Sequence, residues 1–281
     1  MAKTAIVTDT SSDLTPEQAV AAGVRLVPLT VSFGEDSYDA GTELSNEAFY
    51  TKLAAPGAPL PRTAAPNPAR FEAAYREAFD DGADGIVCVT ISSRMSATHA
   101  SAVQAAKAFE PGLIEVVDAL TTAQPLGLVV RRAADLASTG AGRAEVIDLV
   151  IDLIGRTDLF FTLHTLEYLQ KGGRIGRASA LLGTVLAIKP ILTVNDGEVA
   201  TFDKKRTFAK ARARVVEIAA EQAVEQIAVL HTGAEDIETF CAQVATAAGV
   251  PPDQVEVSLT GPVAGTHVGP GMLGITRILP A

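Results

Sequence analysis

Residues 85–91 read GIVCVTI, a run without a single charged side chain. A strand of this kind shows no polar–apolar alternation, so both of its faces must be buried, which is typical of parallel sheets in α/β proteins. Other β-rich runs (TAIVTD, RLVPLTVSF and LIEVVD) alternate with helical patterns on either side of it, including a helix opening at TPEQAVAAG and two helices across 122–155. The first half of the chain therefore predicts an α/β domain with a mostly parallel sheet.

The second half predicts another α/β domain, with a mixed or antiparallel sheet. It begins near LFFTLH, and its run KPILTVNDGEVATFD carries the hairpin turn Asp196–Gly197 between two strand-like stretches. Helices at 206–222 and 235–248 alternate with the strands QIAVLH, QVEVSL and LGITRIL, while TLEYLQKGGRIGRASALLG predicts two short helices. The chain has 281 residues, more than one ordinary domain of about 100–200. We expect two domains, 1–157 and 158–281.

Charge and composition exclude several classes of function. The net charge is −10 and the longest basic run has three residues, which argues against nucleic acid and anionic membranes as partners. No apolar run approaches about 18 residues, so stable membrane insertion is not expected. The spacings of dinucleotide, P-loop and zinc-protease motifs are missing, which predicts no metal and no nucleotide cofactor. Isolated Cys88 and Cys241 are typical of reduced thiols, and we expect a soluble cytoplasmic protein.

Three stretches nevertheless combine into a candidate anion site. The first, TISSRMSATHAS, carries Ser92, Ser93 and Ser96 from a strand into a helix, at the strand end where α/β proteins bind ligands and where helix amides are free. The second, the proline-rich PGAPLPRTAAPNP, reads as a loop and carries Thr63. The third, GPVAGTHVGPGMLG, reads as a glycine loop around His267. Hydroxyls, amides and one imidazole predict a site for a small carboxylate or phosphate.

Other interpretations of these residues stay open at this point. Ser93 or Ser96 with His267 and Asp9 could form a serine hydrolase or thioesterase, although no G-x-S-x-G elbow marks a strained nucleophile. A simpler interpretation makes the serines turn and cap residues. His99, one turn into the helix, could also reach the anion site.

Arg174 and Arg177 stand in a locally basic segment of an acidic chain. They are either part of a solvated helix end or a surface for a partner or a phosphate.

Taken together, the motifs resemble the DegV family of bacterial fatty-acid-binding proteins over nearly the whole chain. The resemblance rests on IVTDTSSDL, VRLVPLTVSFG, RTAAPNPARF, ISSRMSATHASA, TLEYLQKGGRIGRASALLG, IKPILTVNDGEV and GPVAGTHVGPGMLG, in that order. It implies two α/β domains that hold one long-chain fatty acid between them, without catalysis by this chain. It also implies a partner, a separate ATP-dependent fatty-acid kinase that phosphorylates the bound carboxylate, and hence a place in phospholipid metabolism.

The resemblance further implies that Thr63, Ser92, Ser93, Ser96 and His267 surround the acyl carboxylate. Two motifs depart from the family pattern. T-S-Q-P-S is TAAPN here, which loses the second hydroxyl, and S-G-T-Y is SATH, which replaces a glycine and a tyrosine. These departures leave open the preferred chain length and the pairing with a kinase. A sensor or scaffold that binds lipid without kinase coupling is a further alternative.

Overall fold

The chain divides into two units in the computed structural model, which describes residues 3–181 and 188–281. Unit 1 runs to Gly155 and also includes Gly261–Val263, whereas unit 2 comprises Arg156–Thr260 and Ala264–Ala281. The end of the predicted segment TLEYLQKGGRIGRASALLG lies outside the described residues.

Unit 1 alternates strands and helices as expected. Along the chain its elements are β1 (Thr4–Asp9), α1 (Pro16–Ala21), β2 (Val24–Val27), β3 (Thr30–Phe33), β4 (Asp36–Asp39), α2 (Asn46–Leu53), β5 (Arg62–Ala64), α3 (Pro68–Asp80), β6 (Gly85–Thr90), α4 (Thr98–Ala106), β7 (Ile114–Asp118), α5 (Gln124–Ser138) and α6 (Arg143–Arg156).

The main sheet of unit 1 is parallel, with strand order β2-β1-β6-β7. All six residues of β6 are buried, as the apolar run predicts. Helix α3 begins at the predicted cap, where the Asn67 side chain accepts a hydrogen bond from the amide of Arg70. Its residues Phe71 and Tyr75 pack into the core of the sheet together with α4.

A second sheet in unit 1 corrects two sequence predictions. The run RLVPLTVSF does not form one strand: β2 joins the parallel sheet, and β3 joins a three-stranded antiparallel sheet of order β4-β3-β5. Pro28 stands between them and has no N–H to donate to a strand ladder. The stretch around Thr63 is not all loop either, because Thr63 lies in β5 opposite Val31.

The core under the small sheet includes Val263 from the far end of the chain. Its buried members are Leu29, Val31, Phe33, Ala40, Leu44, Phe49 and Val263.

Unit 2 is built on one mixed sheet. Its elements are β8 (Thr157–Thr162), α7 (Glu167–Lys171), β9 (Lys189–Asn195), β10 (Glu198–Lys205), α8 (Phe208–Ala219), β11 (Gln226–His231), α9 (Ile237–Ala248), β12 (Glu256–Leu259), α10 (Pro262–Val268), whose first residues belong to unit 1, and β13 (Leu273–Ile278).

The sheet order is β10-β9-β8-β13-β11-β12, antiparallel except for the pair β11–β12. The predicted hairpin joins β9 to β10, and its turn residues Asp196 and Gly197 have φ of 49° and 77°, the positive values of a type I′ turn. Helices α8 and α9 cover an apolar core that includes Val215, Ile227 and Phe240. A parallel four-stranded sheet and a mixed six-stranded sheet confirm the predicted fold class.

Candidate functional site

The carboxyl ends of the parallel strands in unit 1 carry a dense set of polar groups. Asp9 ends β1 and is fully buried. One of its carboxylate oxygens accepts a hydrogen bond from the amide of Ser11 and the other from the amide of Ile91, each at 2.9 Å. Burial raises the pKa of Asp9, while these N–H groups oppose the shift. Asp9 thus joins the end of β1 to the segment that follows β6.

That segment, residues 91–98, we call the serine turn. It contains Ser92, Ser93 and Ser96, which lie within five consecutive residues. Ser92 is buried, Ser93 exposed and Ser96 half-buried. The Ser92 carbonyl accepts hydrogen bonds from the amides of Met95 and Ser96, and its hydroxyl accepts one from the amide of Arg94 at 3.2 Å. Ser92 therefore organises the turn from within.

Backbone amides of the serine turn are directed into the protein. The Ser92 amide donates to the carbonyl of Thr121 at 2.9 Å, and the Ser93 amide donates to the carboxylate of Asp118 at 3.1 Å. With the bonds described above, every amide from residue 91 to residue 96 has an intramolecular acceptor. The amides of residues 91–96 are therefore engaged within the protein, and the Thr98 amide at the start of α4 is bonded to the Ser96 hydroxyl. The expected contribution of the helix amides to anion binding stays a prediction.

The Ser96 hydroxyl sits at the start of α4. It lies 2.8 Å from the hydroxyl of Thr98 and accepts a hydrogen bond from the Thr98 amide at 3.3 Å. Nearby, Nδ1 of His99 lies 3.0 Å from the hydroxyl of Thr90, the last residue of β6. His99 is thereby tied to the strand end from which the serine turn begins.

Thr63 belongs to the small sheet rather than to the serine turn, and its side chain is half-buried. A hydrogen bond links this sheet to the end of β1, because the amide of Leu29 donates to the hydroxyl of Thr10 at 3.0 Å. Leu29 directly precedes β3, the partner of β5. Thr10, which sequence reasoning missed, connects the segment after β1 to the sheet that carries Thr63.

His267 lies in unit 2, on helix α10 and not in a glycine loop as predicted. Burial, with a smaller contribution from the positive charge of Arg174, lowers the pKa of His267 to about 4. The imidazole is therefore neutral near pH 7.

Close packing explains the glycines around this helix. A Cβ added at Gly172 would overlap Nδ1 of His267, and one added at Gly269, where φ is 71°, would overlap the ring of Tyr168. Only glycine lets the backbone approach these rings so closely.

The two arginines predicted to face a partner have different surroundings. Arg174 is half-buried, donates to the carbonyl of Gly172 at 2.9 Å and lies close enough to lower the pKa of His267. Arg177 is exposed and forms ion pairs with Asp196 and Glu198 across the β9–β10 hairpin turn, at 3.0 and 3.3 Å. Arg174 thus belongs to the surroundings of His267 and Arg177 to the surface of the hairpin.

The geometry gives little support to the hydrolase alternative. Both carboxylate oxygens of Asp9 accept backbone amides, so Asp9 is already engaged and does not orient a histidine in the described structure. No residue of the serine turn, all of which is described, has a positive φ, whereas a nucleophile elbow needs a strained turn.

Across residues 3–181 and 188–281, no group of three His, Cys, Asp or Glu side chains is placed to hold a metal ion. No helix in the same ranges is long and apolar enough to span a bilayer.

Asp118 and Thr121 are neighbours of the serine turn that sequence reasoning overlooked. Asp118 is the last residue of β7, and Thr121 follows this strand in the stretch VVDALTT. The rule that placed the serine turn at a strand end applies equally to this strand end, and it would have identified them.

Comparison with known proteins places these features in a family context. The family model described as "Uncharacterised protein, DegV family" matches residues 3–279. A DegV domain-containing protein of Streptomyces coelicolor is 38% identical over 274 residues, covering 96% of each chain.

Solved structures agree with this match along the full chain. A DegV family protein of Thermus thermophilus, described for its fatty acid binding, is 33% identical with a TM-score of 0.90, covering 99% of this chain and 100% of its own. DegV of Bacillus subtilis, described as a fatty acid binding protein, is 28% identical with a TM-score of 0.85 and full coverage of both chains. A stearic acid-binding protein of Eubacterium ventriosum is 25% identical with a TM-score of 0.85, covering 99% of this chain and 98% of its own.

Proposed function

This chain belongs to the DegV family, and from that membership we propose that it binds one long-chain fatty acid and presents the carboxylate to a separate ATP-dependent kinase. The observation that carries the proposal is the full-length match to the fatty-acid-binding protein of Thermus thermophilus. The kinase forms the acyl phosphate, and this chain supplies binding without catalysis. We place this activity in the cytoplasm, within phospholipid metabolism.

The head group is the part of the ligand that this chain's polar residues can recognise. An acyl chain contributes about 0.8 kcal/mol per buried CH₂, but its carboxylate cannot be buried without hydrogen bonds. We assign those bonds to the side chains of Thr63, Ser93, Ser96 and His267, with Ser92 holding the serine turn in shape. Because the pKa of His267 is about 4, its imidazole serves as a neutral hydrogen-bonding group, and Arg174 supplies a positive charge near it.

Thr63→Val/Ser96→Ala is the variant that tests the head-group assignment. Thr63 is half-buried on a short strand, and Ser96 is half-buried at the start of a helix. Each substitution removes one hydroxyl group and changes the size of the side chain little. We expect oleate affinity to fall about tenfold or more, because a hydrogen bond to a charged group contributes about 1.5–3 kcal/mol. Isothermal titration with delipidated protein measures this.

Ser138→Ala/Thr139→Val is a matched control, because it removes the same two hydroxyl types from the exposed end of α5. Equal oleate affinity in both double variants and the wild type would remove Thr63 and Ser96 from the site.

A second experiment tests the role of the protein as a carrier. Native mass spectrometry of the purified protein, followed by denaturing extraction, should release a stoichiometric C14–C18 fatty acid. Loaded protein, mixed with a bacterial fatty-acid kinase and ATP, should yield acyl phosphate. Lipid binding without phosphorylation would favour the sensor or scaffold alternative, whereas a protein that can be neither isolated with nor loaded with fatty acid would refute the proposal.

A further inference from the structure

Three consecutive amides of the serine turn are held by three separate supports. The amide of Ile91 donates to Oδ2 of Asp9 at 2.9 Å, and that of Ser92 donates to the carbonyl of Thr121 at 2.9 Å. The amide of Ser93 donates to both carboxylate oxygens of Asp118, at 3.1 and 3.3 Å. The turn follows β6, whereas the supports come from its two neighbours in the sheet, β1 and β7.

Each carboxylate also braces the segment after its own strand. Oδ1 of Asp9 accepts the amide of Ser11. Oδ1 of Asp118 accepts the amide of Leu120 at 3.0 Å, and Leu120 has the unusual φ of 51° for a non-glycine residue. The amide of Ala123, which also has a positive φ, donates to the carbonyl of Ser11. The ends of the three strands are therefore connected to one another, with a carboxylate on each side of the serine turn.

We propose that Asp9 and Asp118 are positioning residues of the head-group site, which hold the backbone of the serine turn so that the turn offers its side-chain hydroxyls to the ligand. This inference rests on the proposed function. Neither carboxylate contacts the ligand, and each acts through the backbone of the turn. Because the turn is ordered before the ligand arrives, binding the head group does not have to order it.

The proposal separates two parts of the affinity for a fatty acid. Recognition of the carboxylate depends on where the hydroxyls stand, whereas recognition of the acyl chain depends on buried apolar area. A loosened serine turn should therefore weaken binding of a fatty acid much more than binding of the corresponding fatty alcohol. A general loss of structure would weaken both ligands alike.

Asp118→Ala is the test variant, because Asp118 is only half-buried, whereas removal of the fully buried Asp9 endangers folding. We expect the dissociation constant for oleate to rise about tenfold and that for oleyl alcohol to change less than about twofold. Asp118→Asn should restore most of the oleate affinity, since its remaining Oδ1 can still accept the amides of Ser93 and Leu120.

Asp84→Ala serves as the matched control. Asp84 is exposed, also accepts a backbone amide, that of Lys3 at 2.9 Å, and stands at the opposite end of the same sheet, just before β6. It should leave the binding of both ligands unchanged.

Amide hydrogen exchange of Ser93 gives a measurement that does not need lipid, and its protection should fall in Asp118→Ala. Unchanged oleate affinity in Asp118→Ala, or an equal loss of affinity for oleate and oleyl alcohol, would overturn the inference while leaving fatty-acid binding intact. Failure of the wild-type protein to bind oleate would instead refute the proposed function on which it rests.

Discussion

Replacing Asp13 by asparagine should raise the free energy of unfolding at neutral pH, although the two side chains have nearly the same size and shape. Asp13 is buried, and its Oδ1 accepts the amide of Gly261 at 3.0 Å, a contact between positions 248 apart in the chain. Its Oδ2 is buried without a hydrogen-bond partner among the described residues. Burial raises the pKa of Asp13 to about 7, and the Gly261 amide opposes this only in part.

The sign of the effect follows from the two pKa values, about 7 in the folded protein and 3.8 for an ordinary aspartate. Between them the folded state keeps a proton that the unfolded chain has lost. The free energy of unfolding therefore falls as pH rises, by about 1.4 kcal/mol per pH unit, and the stabilisation is complete only below the lower pKa. From about pH 4.5 to about pH 7.5 the wild-type protein loses about 3 kcal/mol through this one group.

Asparagine does not titrate, so Asp13→Asn escapes this loss. Its amide oxygen can still accept the Gly261 N–H, and asparagine tolerates the left-handed backbone at this position, where φ is 59°. We expect the free energy of unfolding of Asp13→Asn to rise by about 3 kcal/mol relative to that of the wild type from about pH 4.5 to about pH 7.5. Asp13→Ala, which also loses the hydrogen bond, should be less stable than Asp13→Asn at both.

Urea denaturation followed by far-UV circular dichroism suits this measurement, because the chain contains no Trp. Asp84→Asn provides the control, since Asp84 is exposed and accepts a single backbone amide. A stability difference between Asp13→Asn and wild type that stays constant with pH would show that Asp13 ionises normally in the folded protein. The account of a desolvated carboxyl group would then be wrong.

Two further predictions concern His267. Gly172→Ala should displace the imidazole, because the added Cβ overlaps Nδ1. We expect this variant to bind oleate at least about fivefold more weakly in a calorimetric titration. Gly155→Ala is the control, because its Cβ meets no atom within 4 Å, and it should leave oleate affinity unchanged. The lowered pKa of His267, about 4 against the ordinary 6.5, means that the unfolded chain takes up a proton first as pH falls. From pH 6.5 to pH 4 the free energy of unfolding of the wild type, measured by urea denaturation, should fall by about 3 kcal/mol relative to that of His267→Gln. Equal pH profiles of stability for the two proteins would contradict the burial of a neutral ring.

Features with a local cause could be predicted from the sequence. The uncharged run around Cys88 became the buried central strand β6, because the composition of a strand reports the burial of its faces. Asp196–Gly197 became a hairpin turn, because both residues tolerate positive φ. Helix α3 begins where its local sequence predicts, because Asn67 caps the helix and Pro68 has a fixed φ that suits its first position.

Features set by distant contacts could not be predicted in this way. Thr63 lies in a three-residue strand, which exists because it pairs with β3 some thirty residues earlier in the chain. His267 stands in a stretch so rich in glycine that it reads as a loop, yet residues Pro262–Val268 form a helix. Its start is fixed by Asp13, bonded to Gly261, and by the burial of Val263 in the core of the small sheet. Tertiary contacts override local propensity at both places.

The serine turn shows which contacts a local sequence motif does not reveal. Its position after a buried strand and before a helix indicates free amides, the usual basis of anion binding there. In the structure the amides of residues 91–96 are accepted by Asp9, Thr121 and Asp118, which lie far from the turn in sequence, and by the turn's own buried Ser92. An acceptor on a neighbouring strand leaves no trace in the local pattern. The hydroxyls of the turn differ in exposure: Ser92 is buried and bonds the backbone of the turn, whereas Ser93 is exposed and Ser96 half-buried, which is compatible with the head-group role that we propose for them.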